Sequence, residues 1–311
     1  MACSDGFFTG RISPPSAIGL KVTIECAHCL LERAVNQVKL ATQDPELQMK
    51  VVQAMTSFLS EHFNNDAVPS HIGTDRDLLV QRMTGKDPYA DLKRMSNEMA
   101  LGLLPELEQL VEEESDPSSR FRRATLIAAA ANAIEFDVSG RDFSLDELRH
   151  ILDNVEHDLA IDQVEEFREL CQSVDEVLYL MDNAGEVVLD MILIAEIRRQ
   201  GPRVVAVVKG GPVLNDATMT DANEVGLDKY ADAVIDTGAQ AIGVNLDRSS
   251  ETFRETYRSA ELVVAKGMGN FESLTEMDPT CPVVHIMRTK CRPVAQHVGA
   301  PRNKNVVTIR R

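Results

Sequence analysis

The chain has no tryptophan, and aromatic residues make up only 5% of its 311 positions. Its core must therefore be assembled from Ala, Val, Leu, Ile and Met, within a hydrophobic content of 44%. No apolar run approaches the roughly 20 residues that cross a bilayer. The opening stretch, MACSDGFFTGRISPPS, has no basic start followed by a long apolar segment, so it is not a secretory signal. Residues 1–20 read as a flexible leader. Positive charge is scarce: 32 Lys and Arg stand against 49 Asp and Glu, a formal charge of −17. Such a surface repels nucleic acid and anionic membranes, so neither is expected as a partner. It also repels anionic substrates, so a phosphate site must carry its own positive field, which a metal ion supplies. The six cysteines, Cys3, Cys26, Cys29, Cys171, Cys281 and Cys291, are scattered through a chain with no export signal. They are expected to be reduced, in a cytoplasmic protein. Internal repeats, a P-loop and a Ser nucleophile elbow are all missing.

What is present changes character near residue 172. Before it the periodicity is helical. Glu32 to Phe63 is amphipathic and breaks at Asp44-Pro45, where Pro45 suits a helix start. Further helices are expected over Pro88–Gly102, Leu103–Glu114 and Ser119–Asn132, and one from Ser144, with Glu147 at capping-box spacing. No strand alternation stands out in this half. From residue 173, apolar runs alternate with helical segments. The runs are Glu176–Met181, Arg203–Val208, Ala233–Ile235, Leu262–Ala265, Val283–Met287 and Val306–Ile309. The helices are Val187–Gln200, Asp216–Val225 and Ser249–Ala260. Consecutive β-branched residues suit strands covered on both faces. The expected fold is thus α/β: an all-helical domain over residues 21–172, then a Rossmann-like αβα parallel-sheet domain over 173–311.

Open parallel sheets bind ligands at the carboxyl ends of their strands. Each apolar run here is followed by polar groups, most with glycine: Asp182-Asn183-Ala184-Gly185-Glu186, Lys209-Gly210-Gly211, Asp236-Thr237-Gly238, Lys266-Gly267-Met268-Gly269-Asn270-Phe271-Glu272 and Arg288-Thr289-Lys290. Asp182, Asn183 and Asp216 are oxygen donors of the kind that suits a hard divalent ion. Taken singly, Asp182 and Asn183 make a turn and Asp216 caps a helix. Taken together at adjacent strand ends, they favour a metal. Lys266 and the freed amides of Gly267 and Gly269 suit a phosphate. Glu272 stands where a dinucleotide fingerprint has its third glycine, which disfavours nicotinamide and flavin. Cys26-Ala-His-Cys29 is a lone pair of thiols, short of the four ligands of structural zinc. An accessory metal or redox role competes with inert buried thiols. Asn132-Ala-Ile-Glu135 interrupts an apolar run and suits either a cleft lining or a helix end.

The strings Glu25-Cys-Ala-His-Cys29, Thr84-Gly-Lys-Asp-Pro-Tyr89, Asn132-Ala-Ile-Glu135, Asp182-Asn-Ala-Gly-Glu186, Leu214-Asn-Asp216, Lys266-Gly-Met-Gly-Asn-Phe-Glu272 and Lys290-Cys291 together resemble the DUF89 family, the ARMT1-like damage-control phosphatases. The CxxC resembles its stand-alone microbial branch. One departure is Ala131, where a glycine before Asn132 is common. The resemblance implies a helical domain beside a Rossmann-like one and a metal-dependent phosphatase acting on small phosphorylated metabolites, sugar phosphates or damaged phosphometabolites. It implies Asp182, Asn183 and Asp216 as metal ligands and Mn²⁺, Co²⁺ or Ni²⁺ as the ion, with Mg²⁺ weaker. It places Glu186, Lys266, Asn270, Glu272, Asn132 and Lys290 around the substrate. Attack by water is preferred over a phospho-enzyme at Asp216, since a carboxylate committed to a metal is a poorer nucleophile. Two rival readings remain. A methyltransferase using S-adenosylmethionine would need an acidic residue where Lys209 stands. A non-enzymatic metal or redox sensor would use the CxxC.

Overall fold

A computed structural model of the chain describes residues 19–131 and 154–311. Residues 1–18 of the leader, with Cys3, and also Asn132 and the capping box at Ser144 fall outside the described residues; Leu20, at the end of the leader, is buried. The helices and strands below are counted among the described residues.

Five helices come first: α1 (Ile24–Ala41), α2 (Pro45–His62), α3 (Pro69–Thr84), α4 (Ala90–Glu112) and α5 (Pro117–Ala131). Local chemistry sets their ends. Asp44 accepts the Glu46 N–H and Pro45 occupies the first turn, so α2 starts where its proline fits. Gly85 closes α3 in the left-handed region, at φ +68°. The two helices expected over 88–114 are one. Ala100, Leu103, Leu107 and Val111 bury a continuous stripe on α4. That burial outweighs the weak helix propensity of Gly102, where the two expected helices divide, and the helix also carries Pro105 in its interior.

The rest alternates: β1 (Leu159–Asp162), α6 (Val164–Cys171), β2 (Glu176–Leu180), α7 (Glu186–Gln200), β3 (Arg203–Val208), α8 (Met219–Val225), β4 (Ala233–Asp236), α9 (Glu251–Ser259), β5 (Leu262–Lys266), α10 (Gly267–Leu274), β6 (Val283–Arg288), α11 (Arg292–Val298) and β7 (Asn305–Arg310). The strands form one seven-stranded sheet in the order β1-β7-β6-β5-β2-β3-β4. All pairings are parallel except β6–β7. Strand β1 lies before residue 173 and pairs with β7, so the sheet takes a strand from a segment read as helical. It escapes the periodicity because it has four residues and is half exposed at an edge.

Alternation along the strands feeds two cores. Val177, Tyr179, Val204, Ala206 and Val264 face Phe121, Phe167 and the buried side of α7. Leu178, Leu180, Val205, Val207 and Val263 face Phe253 and Tyr257 of α9 and Leu274 of α10. Strand order reverses between β2 and β5: β3 and β4 extend one way, β6 the other. A crevice at that switch point is the default ligand site of such sheets.

His285 on β6 is buried against the Phe271 ring, with centroids 5.0 Å apart. Neither ring nitrogen has a hydrogen-bond partner among the described residues. Burial, with Arg310 nearby, pushes its pKa down to about 3. In the unfolded chain it returns to roughly 6.5. Below that pH the unfolded state takes up a proton the native state refuses. Stability is then lost at about 1.4 kcal/mol per pH unit as pH falls toward 3. His285→Leu is expected to flatten the fall in urea midpoint between pH 6 and pH 4 by about that slope. An acid limb as steep as that of the wild type would contradict it.

Candidate active site

The chain leaves β2 through Met181 and Asp182, and the next segment does not turn away at once. It runs beside residues 215–217. The Ala184 N–H donates to Asn215 O at 2.9 Å and the Ala217 N–H to Asp182 O at 2.8 Å. An isolated antiparallel bridge joins Asn183 to Asp216. This short ladder brings Asp182, Asn183 and Asp216 together across 33 residues of sequence. It also explains why the helix expected from Asp216 starts later. Residues 216–217 are extended, and α8 begins at Met219 behind a capping box of Thr218 and Asp221.

Both carboxylates are buried. Burial, with repulsion from Glu186 and Asp216, holds the Asp182 carboxyl well above the usual range. Burial likewise raises Asp216 to about 6, although Lys209 and Lys93 pull the other way. Asp216 Oδ2 has no hydrogen-bond partner among the described residues, and the Lys209 ammonium lies 3.7 Å from it. Two crowded carboxylates with an orphaned oxygen, beside an amide, fit a cation with oxygen ligands. The set is mixed: among the described residues no three His, Cys, Asp or Glu side chains are grouped to hold a metal.

Gly267, at the start of α10, closes the site from β5. Its φ is +74°, and a Cβ there would fall 1.8 Å from Asp182 Oδ2. Only glycine leaves room for that carboxylate. Two helices cover the strand ends. Asn97 of α4 accepts the Gly185 N–H at 2.8 Å and donates to Asp221 at 3.1 Å. Lys93 pairs with Asp221 at 2.7 Å. On α3, Asp77 accepts the Leu214 N–H at 3.3 Å and Thr74 the Ile242 N–H at 3.0 Å. The helices thus roof the crevice through hydrogen bonds to its loops.

Residues 22–306 match the damage-control phosphatase ARMT1-like domain. This chain belongs to the damage-control phosphatase ARMT1-like family. A damage-control phosphatase of Archaeoglobus fulgidus is 34% identical over 90% of this chain and 96% of that protein. One from Pyrococcus horikoshii is 31% identical over 91% of this chain and 96% of its own length. The crystal structure of a DUF89 family protein from Pyrococcus horikoshii superimposes with a TM-score of 0.84 at 31% identity. It covers 93% of this chain and 98% of its own.

Within this ARMT1-like frame the other expected residues divide. Glu186 is buried and accepts the Asn183 amide at 2.7 Å. Asn270 is wholly buried; its amide donates to Lys266 O at 2.8 Å and Met181 O at 3.1 Å, and its oxygen accepts from Lys209 at 3.2 Å. Lys266 is also wholly buried, and its ammonium meets Asp190 Oδ1 at 2.5 Å and Glu186 Oε2 at 3.9 Å. Burial opposes its charge, but Asp190 and Glu186 hold its pKa above the ordinary lysine value. Glu272 lies further along α10, facing Arg33 and Arg76. Lys290 is half-buried just before α11. Cys26 and Cys29 are unpaired thiols at the start of α1.

Sequence reasoning missed Asn97, Asp190, Asp77 and the place of Lys209 beside Asp216. Asp190 did leave a sign: it is an acid inside the apolar run of α7 and needs a buried partner. A separate cavity of about 310 Å³ lies at the opposite sheet edge, between Arg120, Gln172, Glu196 and Arg199. There the arginines are paired to Glu196, at 3.0 and 2.5 Å.

Lys266→Met would strand the Asp190 carboxylate in the core. We expect a loss of about 3–5 kcal/mol, read from urea denaturation. Adding Asp190→Leu should recover most of it. A double variant no better than the single one would show that the pair does not act as a unit.

Proposed function

We propose that this chain is a metal-dependent phosphatase that hydrolyses small phosphate monoesters, sugar phosphates or damaged phosphometabolites among them. The observation that carries the reading is the Asn183–Asp216 bridge, which sets an unsatisfied Asp216 oxygen beside a second buried carboxylate. The ARMT1-like domain match and the damage-control phosphatase relatives support a phosphatase role. Among the described residues, no helix is long and apolar enough to cross a membrane.

Asp182, Asn183 and Asp216 would hold the ion, with Mn²⁺, Co²⁺ or Ni²⁺ preferred and Mg²⁺ weaker. Such an ion supplies charge neutralisation of the phosphoryl oxygens and activation of a water. The protein groups do the rest. Lys209 sits beside Asp216 and is held by Gly243 O at 3.1 Å and by Asn270. It keeps positive potential at the crevice floor, where an anion must approach an acidic protein. Lys266 adds field from behind Asp182, fixed by Asp190. Glu186 and Asn270 are positioning residues: one orients the Asn183 amide, the other ties α10 to the end of β2. Gly267 lets α10 approach closely, so that its N-terminal amides face the bound phosphate. Glu272 and Lys290 are assigned to the substrate side of the crevice.

Asp216→Asn keeps the shape of the side chain but removes its charge. We expect hydrolysis of p-nitrophenyl phosphate with Mn²⁺ to fall by a factor of about 10³ or more, with an unchanged circular dichroism spectrum. Near-wild-type rates in that variant would sink the assigned role. Gly267→Ala pushes a methyl group into the Asp182 carboxylate. It should lower turnover at least about tenfold and weaken Mn²⁺ binding in equilibrium dialysis. Wild-type Mn²⁺ affinity in that variant would contradict the close packing.

A further inference from the structure

A second set of charged side chains sits on α1, α3 and α10. Arg76 of α3 is only 2% exposed, yet its Nε and Nη2 have no hydrogen-bond partner among the described residues. A buried guanidinium that lacks acceptors is costly, because its donors lose water and gain nothing in return. Such groups call for a ligand or another explanation. Arg33 of α1 lies near it and raises the cost: burial and the Arg33 charge together push Arg76 down to about 10. Arg33 is itself open to solvent, although Cys29, Tyr89 and Glu272 crowd round it. That combination describes a side chain lining a concave wall.

Asp77 adjoins Arg76, and both arginines act on Glu272. Burial raises it to about 7 despite them. Near neutral pH it is therefore only partly ionised, and two arginines outweigh it. Arg33, Arg76 and Glu272 come from α1, α3 and α10, and α3 packs against both others. Helix α10 also links this corner to the carboxylate pair. Gly267 touches Asp182 and Glu272 lies five residues on, about 7.5 Å along the axis at 1.5 Å per residue. On α3, Asp77 adjoins Arg76 and bonds the backbone two residues before Asp216. A small metabolite can span that separation.

We propose that Arg33 and Arg76 form a second oxyanion subsite, which takes an additional acidic group of the phosphorylated substrate. A guanidinium offers a planar fork that matches carboxylate or phosphate oxygens, and a bound anion would satisfy the orphaned Arg76 donors. The chain would then select phosphate esters that carry a carboxylate or a second phosphate over neutral ones. This selectivity rests on the phosphatase reading above; the anion site itself does not.

The test uses the full-length protein in two arms. With Mn²⁺, kcat/KM is measured for 3-phosphoglycerate and for glycerol 3-phosphate, which differ in the carboxylate, and for a sugar bisphosphate and its monophosphate. The wild type should prefer the doubly acidic members. Arg76→Gln and Arg33→Gln should each reduce that preference about tenfold or more, mainly through KM. The second variant covers the case in which a buried arginine is needed for folding. Preference for only one pair identifies the second group as carboxylate or phosphate. In the other arm, chelator-treated protein is titrated with inorganic phosphate at constant ionic strength. The wild-type Tm should rise, and Arg33→Gln should abolish the rise. If no ester is hydrolysed but this shift is seen and lost in the variant, the subsite stands and the phosphatase reading falls. Variants that keep wild-type preference, or a wild type with neither preference nor shift, overturn the proposal.

Discussion

The site depends on one piece of backbone pairing. Residues 182–184 and 215–217 exchange hydrogen bonds outside the main sheet, and that ladder sets Asp182 and Asp216 side by side. Without it, Asp216 would be a helix cap some way from the β2 end. With it, two carboxylates are buried together at the switch point, where repulsion and desolvation raise both pKa values. An arrangement that costs free energy in the folded state must be supported from elsewhere. Here the support is a set of buried lysines and hydrogen-bonded loops.

Three lysines divide that task. Lys209 faces Asp216, Lys93 ties Asp221 to the roof, and Lys266 is bound to Asp190 beneath the site. Each is almost fully buried in a protein of net charge −17. These buried cations sit among the carboxylates at the strand ends. The same logic extends to Arg33 and Arg76. The crevice reads as a line of alternating charge: a carboxylate pair suited to a cation, then a cationic corner suited to an oxyanion.

Much of this was legible in the residues. The six apolar runs after residue 173 are strands, because β-branched stretches covered on both faces leave little alternative. The polar strand ends mark the carboxyl edge of the sheet, and Asp182, Asn183 and Asp216 come together there. Other parts were hidden for physical reasons. Helix α3 buries Ser70, Thr74, Arg76 and Asp77, so its inward face is polar and shows no apolar period. Helix α10 begins Gly-Met-Gly-Asn, a turn-like composition that does not announce a helix. Asn97 is a single amide in a long amphipathic helix, with no local pattern to mark it. Nothing in the sequence around Lys266 announces its bond to Asp190, 76 positions earlier.

The central claim is that Asp182, Asn183 and Asp216 share one divalent cation. Anomalous diffraction from crystals grown with Mn²⁺ tests it directly. The account predicts a single strong peak among those three side chains, within about 2.5 Å of their oxygens. A peak only at Cys26 and Cys29, or none near Asp216, would contradict it.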